Sequence, residues 1–346
     1  MVTVAIGVAR LMVSPEWGLV PLLAVGPAVA AAIGGAVYTL AAGVQALVIC
    51  GLLRGDEFQN PASYHSDVVG LVAVTCVTAA GITACMARRR RERELADVRV
   101  VADTAQQVLL RPVPSQVGPV RLAVNYLSAS SQARVGGDLY DVADAAGVVR
   151  LIVGDAEGKG LPAVKSAAAL LGAFRDAAHE EDSLAAIASR IETSLSRQLP
   201  DDGFVTAIIA EISPDGSKME LLNCGHPGPL LLGEEPPRFL DAGEGSLPLG
   251  LGHLAPEPRI PVTIPLDGHD AVLFYTDGAT EARNSAGAFF PLDSCAAVRA
   301  AGCYDTLVDR LSRELTRYVG HAPDDDVALL LVYRDQPSKP SADPTT

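Results

Sequence analysis

Charge is nearly absent from the first quarter of this sequence. Up to residue 87 the charged side chains are Arg10, Glu16, Arg54, Asp56, Glu57 and Asp67, which excludes an ordinary charge-coated soluble domain there. Cysteine is sparse as well, and the six present (50, 76, 85, 224, 295 and 303) form no C-x-x-C pair. Neither a disulfide framework nor a zinc site is indicated. The six histidines, at 65, 179, 226, 253, 269 and 321, show no ligand spacing. Phosphate loops are missing too: in "VGDAEGKG" Lys159 is followed by Gly160 rather than Ser or Thr, and glycines 154, 158 and 160 do not fall in G-x-G-x-x-G order. A basic face is lacking. Four of the 41 acids and two of the 27 Lys+Arg lie before residue 88, leaving 37 acids against 25 bases, a net of −12, from there to the end. Nucleic acid is a poor partner for such a region, and solubility accounts for most of its acidity.

What the N-terminal quarter has instead is apolar length. Leu19 to Ile33, Ala36 to Leu53 and Val68 to Met86 are nearly long enough to cross ~30 Å of hydrocarbon as helices, and Met1 to Ser14 offers a shorter fourth span. A secretory signal would not be followed by two further apolar segments. The cluster "ARRRRERE" after the last span marks its cytoplasmic end, because arginine-rich helix ends stay inside. These features predict a multi-pass protein of the cell membrane with three or four spans. Its C-terminal two thirds would lie in the cytoplasm, and the loop "RGDEFQNPASYHSD" would face out.

The expected division is 1–87 membrane region, 88–118 cytoplasmic linker, 119–334 globular domain and 335–346 disordered tail. "RERELADVRVVADTAQQVLLRPVP" reads as a helix ended by Pro112 and Pro114. Leu95, Val98, Ala102, Ala105 and Leu109 alternate at spacings of three and four, which suits either a short coiled-coil dimer or a helix packed on its own domain. Strands are expected at "VRLAVNYL", "GVVRLIVG", "FVTAIIAEI", "MELLNCG", "PLLL", "AVLFYTD" and "VALLLVYR", and helices at Pro162 to Glu180 and Ser183 to Gln198. The strands come in adjacent pairs, which points to antiparallel sheets flanked by helices in the α+β class.

Aspartates stand at the ends of several of these strands: Asp138 in "VGGDLYDV", Asp155 in "VGDAEGKG", Asp277 in "FYTDGATE", and Asp325 with Asp326 in "APDDDVALLLV". Singly, each reads as a turn or helix-cap residue. Together they are costly at apolar strand ends unless a cation neutralises them. Oxygen ligands without Cys or His favour Mg²⁺ or Mn²⁺.

In order, "ASSQARVGGDLYDV", "VGDAEGKGLPAV", "FVTAIIAEI", "LLNCGHPGPLLL", "LPLGLG", "FYTDGATEARN" and "DDVALLLV" resemble the PPM class of metal-dependent serine/threonine protein phosphatases. The similarity is to the bacterial branch typified by the sporulation phosphatase SpoIIE and covers about residues 100 to 334. It implies an αββα sandwich with two Mn²⁺ or Mg²⁺ ions at one end. A metal-activated water would attack a phosphoserine or phosphothreonine ester without a covalent intermediate. By the same resemblance Asp155 bridges the ions and the backbone carbonyl of Ala156 joins it. Asp277 and Asp325 complete the set, Asp138 holds or supports one ion, and Asp326 is the alternate for Asp325. The substrate implied is a phosphorylated anti-sigma-factor antagonist.

The sequence departs from the wider family in three places. Glu157 stands where many relatives have a histidine proposed as general acid. The phosphate-gripping arginine has no clear counterpart, Arg134 being the nearest, and Ala328 replaces a threonine. His226, with Asn223, is expected to shape a turn rather than to catalyse. The competing reading is a metal-free, inactive module that only binds a partner.

Overall fold

The computed structural model describes residues 23–53, 61–128, 136–200, 203–233, 235–243, 246–254, 258–266, 270–299 and 304–334. Met1 to Ser14, the first half of the predicted outward loop, Arg134 and the tail therefore lie outside the described residues. The chain divides into two compact units, Met1–Asp97 and Val98–Thr346.

In the first unit, α1 (Val25–Ile33) and α2 (Ala36–Leu53) are followed by α3 (Pro61–Leu109). Leu23, Ala46, Cys50 and Val74 form a small buried cluster, while Val37, Tyr38, Leu52 and Val72 are exposed. Among the described residues one helical stretch, Val68–Glu94, is long and apolar enough to cross a membrane, and Ala36–Leu52 is a shorter apolar helix. The expectation of three or four spans is met only to that extent, because α1 has just nine residues. The helix expected in the linker is the continuation of α3, which runs without a break through the arginine cluster. No Pro or Gly interrupts 82–109, and pairs four residues apart, Arg90–Glu94 at 2.9 Å and Arg88–Glu92 at 3.8 Å, help carry the helix onward. It ends ahead of Pro112 and Pro114, as expected.

The second unit is built on two antiparallel sheets. One has six strands in the order β1 (Gln116–Val117), β2 (Val120–Leu127), β11 (Val327–Tyr333), β10 (Ala271–Tyr275), β7 (Leu230–Leu232) and β8 (Arg238–Phe239). The other has β3 (Asp138–Ala145), β4 (Val148–Ala156), β5 (Val205–Ile212), β6 (Lys218–Cys224) and β9 (Val262–Pro265). Val149, Leu151, Val153, Ile208 and Ala210 of the five-stranded sheet pack on Phe274, Leu330 and Val332 of the six-stranded one. Burying both faces explains why β11 is continuously apolar, all seven residues being buried.

Helices cover the outer faces. α4 (Leu161–Glu180) and α5 (Leu184–Leu195) place Leu170, Phe174, Ile187 and Ile191 against Ile152 and Ile209. α7 (Ala296–Arg299) and α8 (Leu307–Val319) place Val298, Leu311 and Leu315 in one core with Leu273 and Leu329. The result is the αββα sandwich anticipated. Sequence patterning missed β3, whose "DLYDVADA" looks too acidic for a strand, and α8, whose apolar positions are separated by charges.

Ala105 and Leu109, at the end of α3, pack against Val164 of α4. Arg175 Nη2 donates to the Leu109 carbonyl at 2.8 Å. That part of the three-and-four seam is thus used within the chain.

Candidate metal centre

β3 and β4 form a hairpin in whose register Asp138 stands opposite Asp155. The tight Ala146–Gly147 turn sits at the far end, with positive φ at both residues, so pairing delivers the two aspartates to the open end of the five-stranded sheet. Asp277 comes from the other sheet, as the first residue of the short helix α6 (Asp277–Glu281) that follows β10. One carboxylate oxygen from each of Asp138, Asp155 and Asp277 lies within 4.8 Å of the other two. Three residues separated by as many as 139 positions therefore meet at one sheet edge.

Their electrostatics show what such an arrangement lacks. Burial, and then the Asp155 charge, push Asp138 well above the usual carboxylate range. Burial and the Asp277 charge push Asp155 up to about 7. Burial, with Glu281 and Asp325, raises Asp277. Carboxylates that resist ionisation because they crowd one another are suited to a divalent cation, whose charge reverses the repulsion. The donor set, oxygen only and anionic, fits Mg²⁺ or Mn²⁺.

The surrounding residues are arranged to hold the acids in place. Thr276 Oγ1 donates to Asp138 Oδ2 at 2.6 Å and accepts from the Ala328 amide at 2.9 Å, which ties β3 to β10 and β11. Gly137 faces the Ala156 carbonyl so closely that a Cβ there would collide with it, and Gly278 stands likewise against the Asp326 carbonyl. Only glycine permits such backbone approach.

Asp325 and Asp326 separate in role. Asp326 is buried and accepts from the Gly136 amide at 3.0 Å and from the Tyr126 hydroxyl. Tyr126 in turn accepts from Gln106 Nε2 at 2.6 Å, and burial with the Asp138 and Asp326 charges keeps its hydroxyl protonated. Asp325 is half-exposed, and its Oδ2 lies 2.8 Å from Lys159 Nζ. Neither is one of the three clustered acids, though Asp325 acts electrostatically on both Asp155 and Asp277. Gln106, Tyr126 and Thr276 escaped the sequence reading. Gln106 had a weak signal, as an amide beside the apolar seam of a helix.

Glu157 is exposed at the end of β4, its amide bonded to the Phe204 carbonyl at 3.1 Å. His226 is buried: its ring nitrogens face the Tyr275 carbonyl at 3.0 Å and Thr206 Oγ1 at 3.1 Å. Asn223 accepts from the His226 amide at 2.8 Å and donates to its carbonyl at 2.9 Å. Burial lowers the ring to about 4, so it is neutral at pH 7. The turn-shaping role expected of Asn223 and His226 matches these contacts.

A four-layer αββα sandwich with aspartates from both sheets gathered at one edge is the architecture of the PP2C, or PPM, class. A family model described as stage II sporulation protein E (SpoIIE) matches residues 145–335, more than half of the chain, and the chain belongs to that family. The match takes in Asp155, Asp277, Asp325 and Asp326 and begins beyond Asp138. Among solved structures, the RsbU and RsbW domains of a Mycobacterium tuberculosis protein are 26% identical with a TM-score of 0.52, the alignment covering 63% of this chain and 60% of that one. This chain thus spans about three fifths of that relative's length. The SiaA-PP2C domain of Pseudomonas aeruginosa is 17% identical over 72% of this chain and 99% of that chain, with a TM-score of 0.55. The PP2C phosphatase domain of SpoIIE from Bacillus subtilis, with a fragment of its regulatory domain, is 17% identical over 62% and 63%, with a TM-score of 0.52. These last two share the fold.

Proposed function

We propose that this protein is a membrane-anchored phosphatase that hydrolyses phosphoserine or phosphothreonine on a regulatory protein, with Asp138, Asp155, Asp277 and Asp325 as its metal-holding acids, the Ala156 carbonyl beside them and Asp326 as alternate. The observation that carries this reading is the meeting of three carboxylates from two sheets within 4.8 Å, in a chain of the SpoIIE family. Two Mn²⁺ or Mg²⁺ ions bound there supply an activated water and neutralise charge developing on phosphorus. The chain's own residues do the positioning. Thr276 fixes the Asp138 carboxylate, Tyr126 and Gln106 hold Asp326, and the glycine at 137 lets the backbone close around the Ala156 carbonyl.

Membrane anchorage is supported by the apolar stretch Val68–Glu94, and a cytoplasmic second unit is supported by the arginine cluster at the end of that stretch. An anti-sigma-factor antagonist as substrate is supported by the resemblance and by the likeness to an RsbU domain carried in one protein together with an RsbW domain. Dimerisation through α3 would use Val101 and Val108, which are exposed, since Ala105 and Leu109 already pack on Val164.

The test is hydrolysis of a phosphoserine peptide and a small aryl phosphate by the full-length protein in detergent, with Mn²⁺, with Mg²⁺ and with chelator. Turnover is expected only with metal, and Asp277→Asn should lower it more than about a hundredfold. Metal-independent turnover would overturn the metal assignment, and no turnover under any condition would favour the inactive binding module instead.

A further inference from the structure

We propose that Lys159 is a resident cation of the acidic centre, seated on Asp325 and displaced from it by the divalent ion that Asp325 receives. The inference rests on the metal-holding reading given above.

Lys159 Nζ lies 2.8 Å from Asp325 Oδ2. The other oxygen, Oδ1, accepts from the Asp326 amide at 3.0 Å, so Oδ2 is the atom a metal would take. An ammonium and a dication cannot share one carboxylate oxygen cheaply, because like charges then stand within a few ångströms of each other. Lys159 is held where this conflict arises. It lies between Gly158 and Gly160, with φ of 89° and 78°, in the turn that joins Asp155 and Ala156 to α4. The charges of Asp326 and Asp155 act on its ammonium as well as that of Asp325.

The strength of the pair suits a placeholder. The two side chains are 37% and 49% exposed, and an ion pair this open contributes little to stability. It neutralises Asp325 while the centre lacks metal, yet yields to an ion of twice the charge. The consequence is asymmetric. A cation coordinated through Asp138, Asp155 and Asp277 takes no oxygen that Lys159 occupies, whereas one that requires Asp325 takes the oxygen on which Lys159 is seated. The Asp325 side should therefore fill last and release first.

Isothermal titration of Mn²⁺ into full-length protein in detergent, without substrate, tests this. Lys159→Met should tighten Mn²⁺ binding about tenfold, the size expected when one positive charge is removed from beside a partly solvated dication. Lys159→Arg, which keeps the charge, should bind nearly as wild type does. The gain should vanish when Lys159→Met is combined with Asp325→Asn. Unchanged or weaker binding in Lys159→Met, or a gain that persists without the Asp325 charge, would overturn the proposal and leave the metal assignment standing. A wild-type protein that takes up no Mn²⁺ would overturn both.

Discussion

Removing a partly buried carboxylate from a polar cluster ordinarily harms a protein, but Asp155→Asn should stabilise this one when metal is withheld. Asp155 is pushed up to about 7 by burial and the Asp277 charge, against 3.8 for a free aspartate. A carboxyl with a raised value in the folded state binds its proton more tightly folded than unfolded. Stability therefore falls as pH rises from about 3.8 to about 7, and the full cost is present above 7. The gap corresponds to about 4 kcal/mol. Because Asp155 is only half-buried, solvent screening reduces this to about 2–3 kcal/mol. For a folded unit of this size that is about 4–10 °C in melting temperature. Calorimetric melting in chelator at pH 8 should place the variant above wild type by that margin, and the difference should shrink towards pH 5. With Mn²⁺ the order should reverse, since only wild type gains from binding, and the variant should be inactive. A variant that melts at or below wild type in chelator would refute the argument that these acids repel one another.

His226 has the opposite sign: its ring is lowered to about 4, so stability is lost as pH falls from about 6.5 to about 4, and His226→Gln should flatten that loss in metal-saturated protein, measured by melting against pH. Tyr126→Phe removes the hydroxyl between Gln106 and Asp326 and leaves a buried carboxylate short of a donor; a stability loss of about 1–3 kcal/mol by chemical denaturation is expected, and no loss would show that the Gly136 amide suffices. For topology, a cysteine at Ser66 should react with an impermeant thiol reagent in intact cells and one at Arg93 only after lysis; the reverse pattern would invert the predicted orientation.

The sequence was most readable where one physical demand dominated. Strands such as "VALLLVYR" announced themselves because both faces are buried, and the helix Leu161–Glu180 began within a residue of its predicted start because Pro162 favours a first turn. Reading failed where two demands were superimposed. β3 carries Asp138 and Asp141, the first for the acidic centre and the second for Arg175, whose Nε donates to it at 2.5 Å. A strand with those duties loses its apolar alternation. The site was legible through its aspartates, since carboxylates at strand ends are anomalous wherever they occur. Their partners were not legible. Gln106, Tyr126 and Thr276 are unremarkable in sequence, and they acquire a role only through contacts across 20 to 220 positions.

The placement of the three clustered acids also ties folding to chemistry. Asp138 and Asp155 belong to the five-stranded sheet, and Asp277 follows a strand of the six-stranded one. The repulsion of Asp277 with the other two therefore acts between the two sheets at their open edge. The apolar layer that includes Phe274 and Ile208 holds the sheets together behind that edge. Thr276, bonded to Asp138 on one sheet and to the Ala328 amide on the other, is a neutral tie across the same gap. A cation accepted by all three carboxylates would convert the repulsion into a second tie, so metal affinity draws on the same geometry that keeps the sandwich closed. Substitutions that loosen the sheet-to-sheet core well away from the aspartates should then weaken metal binding as well as stability, because the ligands from the two sheets would no longer be held at a common distance.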